Sequence, residues 1–336
     1  VILKRSSENI ESLKESTFPV QRGAQHTFNR ILSKTVGSLL LTVLSFCALQ
    51  AQVLGWQAFN TTNSGMPDNR VYAVHTDTST SHLWVGTDNG LARFDGSTWT
   101  SWNTSNSGLP NNSVRSLLAD GEGGIWIGTF AGGLCHFDGS VWEVWNTSNS
   151  PLPDLYVRSL APDLLGGLWV GTTAGLVHWR DTTWQVYTVL NSDLHSNNME
   201  CMFAPRPDTL WVGTVNGGLT YIEGEDWTDH RIITTGIGDN SIAGVWEDGK
   251  GRAWIATPAG GMNEWAGTWI KWNVTNSSLT TNSLTSLDVD SSGYFWMGST
   301  DRGLIHKNAV HLFTEVAGPD SFVRCIDYDP LANVLW

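Results

Sequence analysis

The chain has 336 residues, 40% of them hydrophobic, and carries 19 Lys plus Arg against 32 Asp plus Glu, a net charge of −13. A nucleic-acid binder needs a basic groove to displace counterions from phosphates, and no such groove can be assembled from this composition. Anionic membrane surfaces and polyanionic substrates are disfavoured on the same ground.

Residues 1–31 are polar, show no internal repeat and precede Met66, the first Met of the chain. They are expected to be a mis-called or disordered extension, with translation starting near Leu32 at an alternative codon. The run VGSLLLTVLSFCALQ at 36–50 follows Lys34 and leads into the small residues of ALQAQ at 48–52. A basic flank, a short apolar core and small residues are the anatomy of a secretory signal, and the run is short for a bilayer span. Residues 32–51 are therefore read as a signal peptide cleaved after Ala51, with export to the periplasm or cell surface. A lipoprotein reading of LSFC at 44–47 is disfavoured because Phe46 is bulky.

From residue 52 to 336 the sequence repeats. Trp84, Trp126, Trp169, Trp211, Trp254, Trp296 and Trp336 follow one another every 40 to 43 residues, inside motifs such as LWVGT (83–87) and IWIGT (125–129). The clearest unit reads NNSVRSLLAD, GEGGIWIGT, FAGGLCHFDG and SVWEVWNTSNSPLP over 111–153. Each piece is rich in β-branched and aromatic residues and bounded by Gly, Asp, Asn or Pro, which predicts four strands per unit. Asp120, Asp163, Asp248 and Asp290 open a DxxGxxW pattern between the first and second strands. A carboxylate folded onto nearby amides beside a positive-φ Gly makes a tight turn there. Asn69, Asn112, Asn197, Asn240 and Asn282 recur so regularly that they are read as backbone caps.

Four-stranded units of this length cannot bury their faces alone, so they pack around an axis as the blades of an all-β propeller. A solenoid is the weaker alternative, because no segment after residue 52 shows sustained helical periodicity. Burying one Trp removes about 150–250 Å² from water, a gross gain of roughly 4–6 kcal/mol, so the Trp ladder is the expected cement between blades. First strands near Asn69, Asn112, Leu155, Asn197, Asn240, Asn282 and Ser321 give seven blades, the last truncated at Trp336. Residues 56–67 match the outermost strand and exit loop of a blade, so they are expected to complete the last blade and close the ring. Such a closure calls for about a dozen residues beyond 336, on the four-strand length of a blade.

Catalytic and metal constellations are not evident. His136, His178 and His306 hold equivalent third-strand positions that a ring spreads apart, and metal ligands must converge on one ion. Cys135, Cys201 and Cys325 are read as small buried hydrophobes. DVDSSG at 288–293 lacks the later acidic ligands of a calcium loop. The recurrent Asp residues lie one per blade, too widely spaced for a glycosidase carboxylate pair. No cofactor or metal is expected.

The informative variation lies one residue after the recurrent Val or Ile of the first strand, where the blades carry Tyr72, Arg115, Arg158, Glu200, Ala243, Thr285 and Arg324. Arg and Tyr supply forked donors and a stacking face, so an axial polar ring is the candidate ligand site. Asp88, Asn89, Phe130, Asn216 and Arg302, in loops between the second and third strands, are expected to open on the same face.

The unit NSVRSLLADGEGGIWIGTFAGGLCHFDG resembles the two-component regulator propeller repeat, whose pattern runs through an Asp, a Gly, a Trp with a following GlyThr, and a GlyGlyLeu. The resemblance extends over about residues 54–336. It implies an extracytoplasmic sensor propeller of a histidine kinase, non-enzymatic in itself, with an oligosaccharide or other small molecule as ligand and signalling domains as downstream partners. Linkers such as FDGSTWTSWNTSNSGLP also resemble secreted proteins that end in a sorting domain, which implies a binding or scaffolding propeller without a kinase. A propeller lyase or hydrolase is the third reading, since fold alone does not exclude activity.

Overall fold

The computed structural model describes residues 56–308, 310–316 and 321–336, together with the backbone of the strand Ile2–Ser6. The expected leader at 32–51 and most of the 1–31 extension lie outside the described residues. The protein is an all-β propeller with four-stranded antiparallel blades. Blade 1 runs Val71–Asp77, His82–Thr87, Gly90–Phe94 and Trp99–Trp102 from the axis outward, and five further blades follow the same plan. Their first strands are Val114–Ala119, Val157–Asp163, Met199–Phe203, Gly244–Glu247 and Leu284–Val289, each lying against the next around the axis. No helix among the described residues is long and apolar enough to cross a membrane.

The blade count differs from the expected seven: six blades are built from contiguous strands. The seventh unit contributes only the two-residue strands Tyr328–Asp329 and Val334–Leu335, and no strand begins near Ser321. These pair in a composite sheet with Ile2–Ser6 and Gln57–Phe59, in the order Gln57–Phe59, Ile2–Ser6, Val334–Leu335, Tyr328–Asp329. Gln57–Phe59 thus takes the outermost place expected of it, while the third place is taken by a strand that carries no repeat signature.

The WVGT motif is explained residue by residue. Its Trp packs between blades: Trp84, Trp211 and Trp296 are at most 2% exposed, and Trp169 and Trp254 at most 8%. Trp126 and Trp336 are only half-buried, so the ladder is not uniformly interior. Its Gly admits the next blade. A Cβ on Gly128 would stand 2.1 Å from Ser116 Oγ and 2.6 Å from Val157 Cγ1 of blade 3, inside contact distance. Blade 5 carries Ala256 there, and the residue paired with it is Gly244, so the missing side chain has moved across the ladder. The motif's last residue donates its hydroxyl to the carbonyl of the Gly that starts strand three. Thr87, Thr129, Thr172, Thr214, Thr257 and Ser299 do so to Gly90, Gly133, Gly175, Gly218, Gly261 and Gly303 at 2.8–2.9 Å. All six of these glycines have positive φ, from 68° to 151°, a region that side chains with a Cβ avoid.

The turns follow the expected chemistry. Asp120 Oδ1 accepts the amides of Glu122 and Gly124 at 2.8 and 2.9 Å, and Asp248 and Asp290 repeat the pattern. Each capping Asn accepts an amide eight residues earlier, as Asn112 does from Thr104 at 2.8 Å, and so pins the exit loop of one blade to the start of the next.

Candidate functional site

The first strand of five blades carries a β-bulge, and the bulged residue is the one singled out by its variability. The register jumps from Val71 to Ala73, Val114 to Ser116, Val157 to Ser159, Met199 to Cys201 and Leu284 to Ser286. Tyr72, Arg115, Arg158, Glu200 and Thr285 are therefore excluded from the ladder. A bulge bends its strand and re-aims the extra side chain. Here it frees one residue per blade at the axial end of the innermost strand.

Four of these residues, with Arg324 of the closing unit, form one continuous contact row. The Arg115 guanidinium lies 3.5 Å from the centre of the Tyr72 ring, and that of Arg324 lies 4.8 Å from the same ring. Arg115 also stands 5.2 Å from the Phe130 ring, which meets Tyr156 edge to face at 4.6 Å. Tyr156 in turn lies 5.4 Å from the Arg158 guanidinium, which pairs with Glu200 and donates to Asn198 at 3.0 Å. Burial pushes the Glu200 carboxyl upward in pKa, opposed by Arg158 and by Arg324.

Asp88 holds the base of this row. It accepts from Ser113 Oγ at 2.7 Å and meets Arg115 at 3.4 Å and Arg70 at 2.6 Å. Other expected residues are spent elsewhere. Thr285 donates its hydroxyl to the Val323 carbonyl, a tie to the closing unit. Asn89 reaches the Pro67 carbonyl at 3.4 Å, and Asn216, at φ 65°, accepts from Ser241 Oγ at 2.9 Å. Arg302 turns outward to Glu315 on the outermost strand of blade 6, at 3.8 Å, and is not part of the row. Sequence reading missed Tyr156, Arg70 and Asn198; each stands within two residues of a recognised position, on the loop that leads into a first strand.

The recurrent Asp residues do more than turn the chain. The second oxygen of Asp120 meets His136 Nε2 at 2.8 Å, that of Asp163 meets His178 Nε2 at 2.8 Å and Arg180, and that of Asp290 accepts from Trp296 Nε1 at 2.9 Å. Burial alone would raise the Asp163 carboxyl, but the hydrogen bonds from Arg180 and His178 hold it at about 2. These His–Asp pairs join the end of the first strand to the third, beside the Trp rings of the second: His178 lies flat on Trp169 with centroids 3.9 Å apart. Cys135, Cys201 and Cys325 are free, and burial raises each thiol pKa, that of Cys135 to about 12. No group of metal-ligating side chains converges among the described residues. A shallow cleft at the outer rim between blades 3 and 4, lined by Tyr187, Asn191, Ser192, Asp193 and Trp227, lacks any basic group.

Comparison with solved structures places the fold. The extracellular domain of the hybrid two component system BT3049 from B. thetaiotaomicron superposes with a TM-score of 0.67 at 19% identity, over 81% of this chain and 39% of that one. PorZ, a surface component of the type-IX secretion system of Porphyromonas gingivalis, gives 0.62 at 14% identity over 84% and 48%. A virginiamycin B lyase from Staphylococcus aureus gives 0.65 at 14% identity over 83% and 97%. The chain thus spans less than half the length of the first two. No curated protein sequence matches. Residues 108–131, the end of the exit loop of blade 1 through the second strand of blade 2, match the model of the two component regulator propeller family.

Proposed function

We propose that this chain is the ligand-binding propeller of an exported protein, a sensor ectodomain that takes a carbohydrate or other small molecule on its axial face and passes the change to signalling domains. The observation that carries this reading is the row from Arg324 through Tyr72, Arg115, Phe130 and Tyr156 to Arg158 and Glu200, which joins the closing unit and blades 1 to 4 through side chains that the ladder does not use. A ligand lying across it touches several blades at once, so binding is coupled to their relative positions. That is what a sensor requires. The extracellular domain of BT3049 shares the fold, which is consistent with export of this one.

A second reading, a secreted binding or scaffolding propeller without a kinase, is favoured by the similarity to PorZ, itself a surface component. Catalysis is not part of either reading. The His–Asp pairs sit beside Trp rings within the blades, and the carboxyls of the axial row are already engaged, Glu200 by Arg158 and Asp88 by Arg70 and Ser113.

The test is thermal-shift and calorimetric screening of the purified chain against neutral and acidic oligosaccharides. A ligand should raise the melting temperature. Arg115→Ala combined with Arg158→Ala should abolish that binding while lowering the apo melting temperature by no more than a few degrees. Equal affinity in the double variant places the site off the axis.

A further inference from the structure

The chemistry of the axial row is uneven, and that unevenness selects a ligand. Two guanidiniums, Arg115 and Arg324, share the single ring of Tyr72 at 3.5 and 4.8 Å. A guanidinium laid on an aromatic face turns its in-plane N–H edge outward, the edge that engages both oxygens of a carboxylate. Arg115 Nε is buried and meets no acceptor, and its one ion-pair contact, to Asp88, is long at 3.4 Å. Asp88 is already held by Arg70 at 2.6 Å and by Ser113. Arg324 forms no ion pair among the described residues. Arg158, by contrast, is matched by Glu200 and Asn198. The uncompensated positive charge is therefore concentrated at Tyr72, between the closing unit and blade 2.

Apolar surface flanks this charge on both sides. Phe130 is 47% exposed and Phe322 is 41% exposed, with the rings 5.2 and 5.1 Å from the Arg115 and Arg324 guanidiniums. Large aromatic side chains left in water beside a polar centre supply faces on which a ring can stack. The overall charge of −13 opposes a polyanion, so the anion that fits is small and singly charged.

Resting on the axial-site reading above, we propose that the ligand carries a single carboxylate on a ring, as a uronic acid or a comparable ring carboxylate does. The carboxylate is held between Arg115 and Arg324, and the ring lies against Phe130 and Phe322. Arg158 and Glu200 then contact the ligand's neutral hydroxyls.

The test is calorimetric titration of the purified chain with sodium glucuronate, sodium benzoate, inorganic sulfate, glucose and a long polyuronate. Saturable binding of glucuronate, at least tenfold tighter than glucose and weakened at least tenfold by Arg115→Gln and by Arg324→Gln but not by the distant Arg252→Gln, is the expected result. Circular dichroism melts of each variant report whether it is folded, and a second variant, Phe130→Ala, should weaken both glucuronate and benzoate while remaining folded. Sulfate binding as well as glucuronate overturns the ring component, and tighter binding of the polyuronate per site overturns the single-charge component. Binding of neutral oligosaccharides that is lost in the Arg115→Ala, Arg158→Ala double variant, with no response to any anion, overturns this proposal while leaving the axial site standing.

Discussion

Trp84 and Trp211 stand on the same rung of the ladder and are 1% and 2% exposed, yet they differ in one atom's surroundings. Trp211 Nε1 donates to Glu247 Oε2 of the next blade at 2.6 Å, and the Glu247 side chain is fully buried, its other oxygen held by Arg206 and the Gly251 amide. Trp84 Nε1 meets no acceptor among the described residues. Replacing either by Phe removes a similar slice of apolar ring, about 1 kcal/mol of transfer and cavity cost. Trp211→Phe also strands a buried carboxylate oxygen, which adds roughly 1.5–3 kcal/mol because the lost bond is to a charged group. Trp84→Phe removes a donor that had no partner and should cost nothing further. The gap between the two variants is then about 2 kcal/mol, or roughly 4–8 °C in melting temperature for a domain of this size. Urea unfolding followed by fluorescence and circular dichroism, with coincidence of the two probes as the check on cooperativity, measures it. Equal losses in the two variants would refute the claim that the bond from Trp211 to Glu247 ties blade 4 to blade 5.

Gly128→Ala should lower stability by about 1–3 kcal/mol, because its Cβ enters both Ser116 and the neighbouring blade; an unchanged melt would mean the blades are not packed as closely as described. Asp163, held at about 2 by Arg180 and His178, has a folded pKa below its unfolded value. Its contribution is present above pH 4 and is lost as pH falls toward 2, so Asp163→Asn should flatten that limb of an acid titration of stability by about 2 kcal/mol. Asp288 has the opposite sign. Burial and then the nearby Asp327 push its carboxyl up to about 7, so its contribution is full below pH 4 and declines as pH rises to 7. Asp288→Asn should remove that decline, and a stability profile between pH 4 and 7 unchanged by the substitution would contradict it.

Much of the fold was legible because it is written in repeated local chemistry. The Trp period, the Asp turns, the Gly at strand three and the capping Asn each act within a few residues and recur from unit to unit. The bulges were not legible, since a residue expelled from a ladder leaves no gap or marker in the sequence; Arg115 reads as one more strand residue between Val114 and Ser116. What was legible was the consequence, a position free to vary. The composite closing sheet was hidden for a different reason: its pairing of Ile2–Ser6 with Val334–Leu335 is as non-local as this chain allows and has no periodic counterpart. Arg302 misled because a short loop can send a long side chain either to the axis or to the rim, and Glu315 decided for the rim.

The bulge separates two kinds of information that most strands must carry on the same residues. In an ordinary ladder a side chain that touches ligand also has a cross-strand partner, so changing what is bound risks changing what folds. Here the bulged residue has no partner opposite, while Val, Gly and Thr around it specify the blade. The chemistry of the axial face can therefore drift by single substitutions at Tyr72, Arg115, Arg158 or Glu200 without renegotiating the frame, and a designer wishing to re-address this ring would need to write only on those few positions.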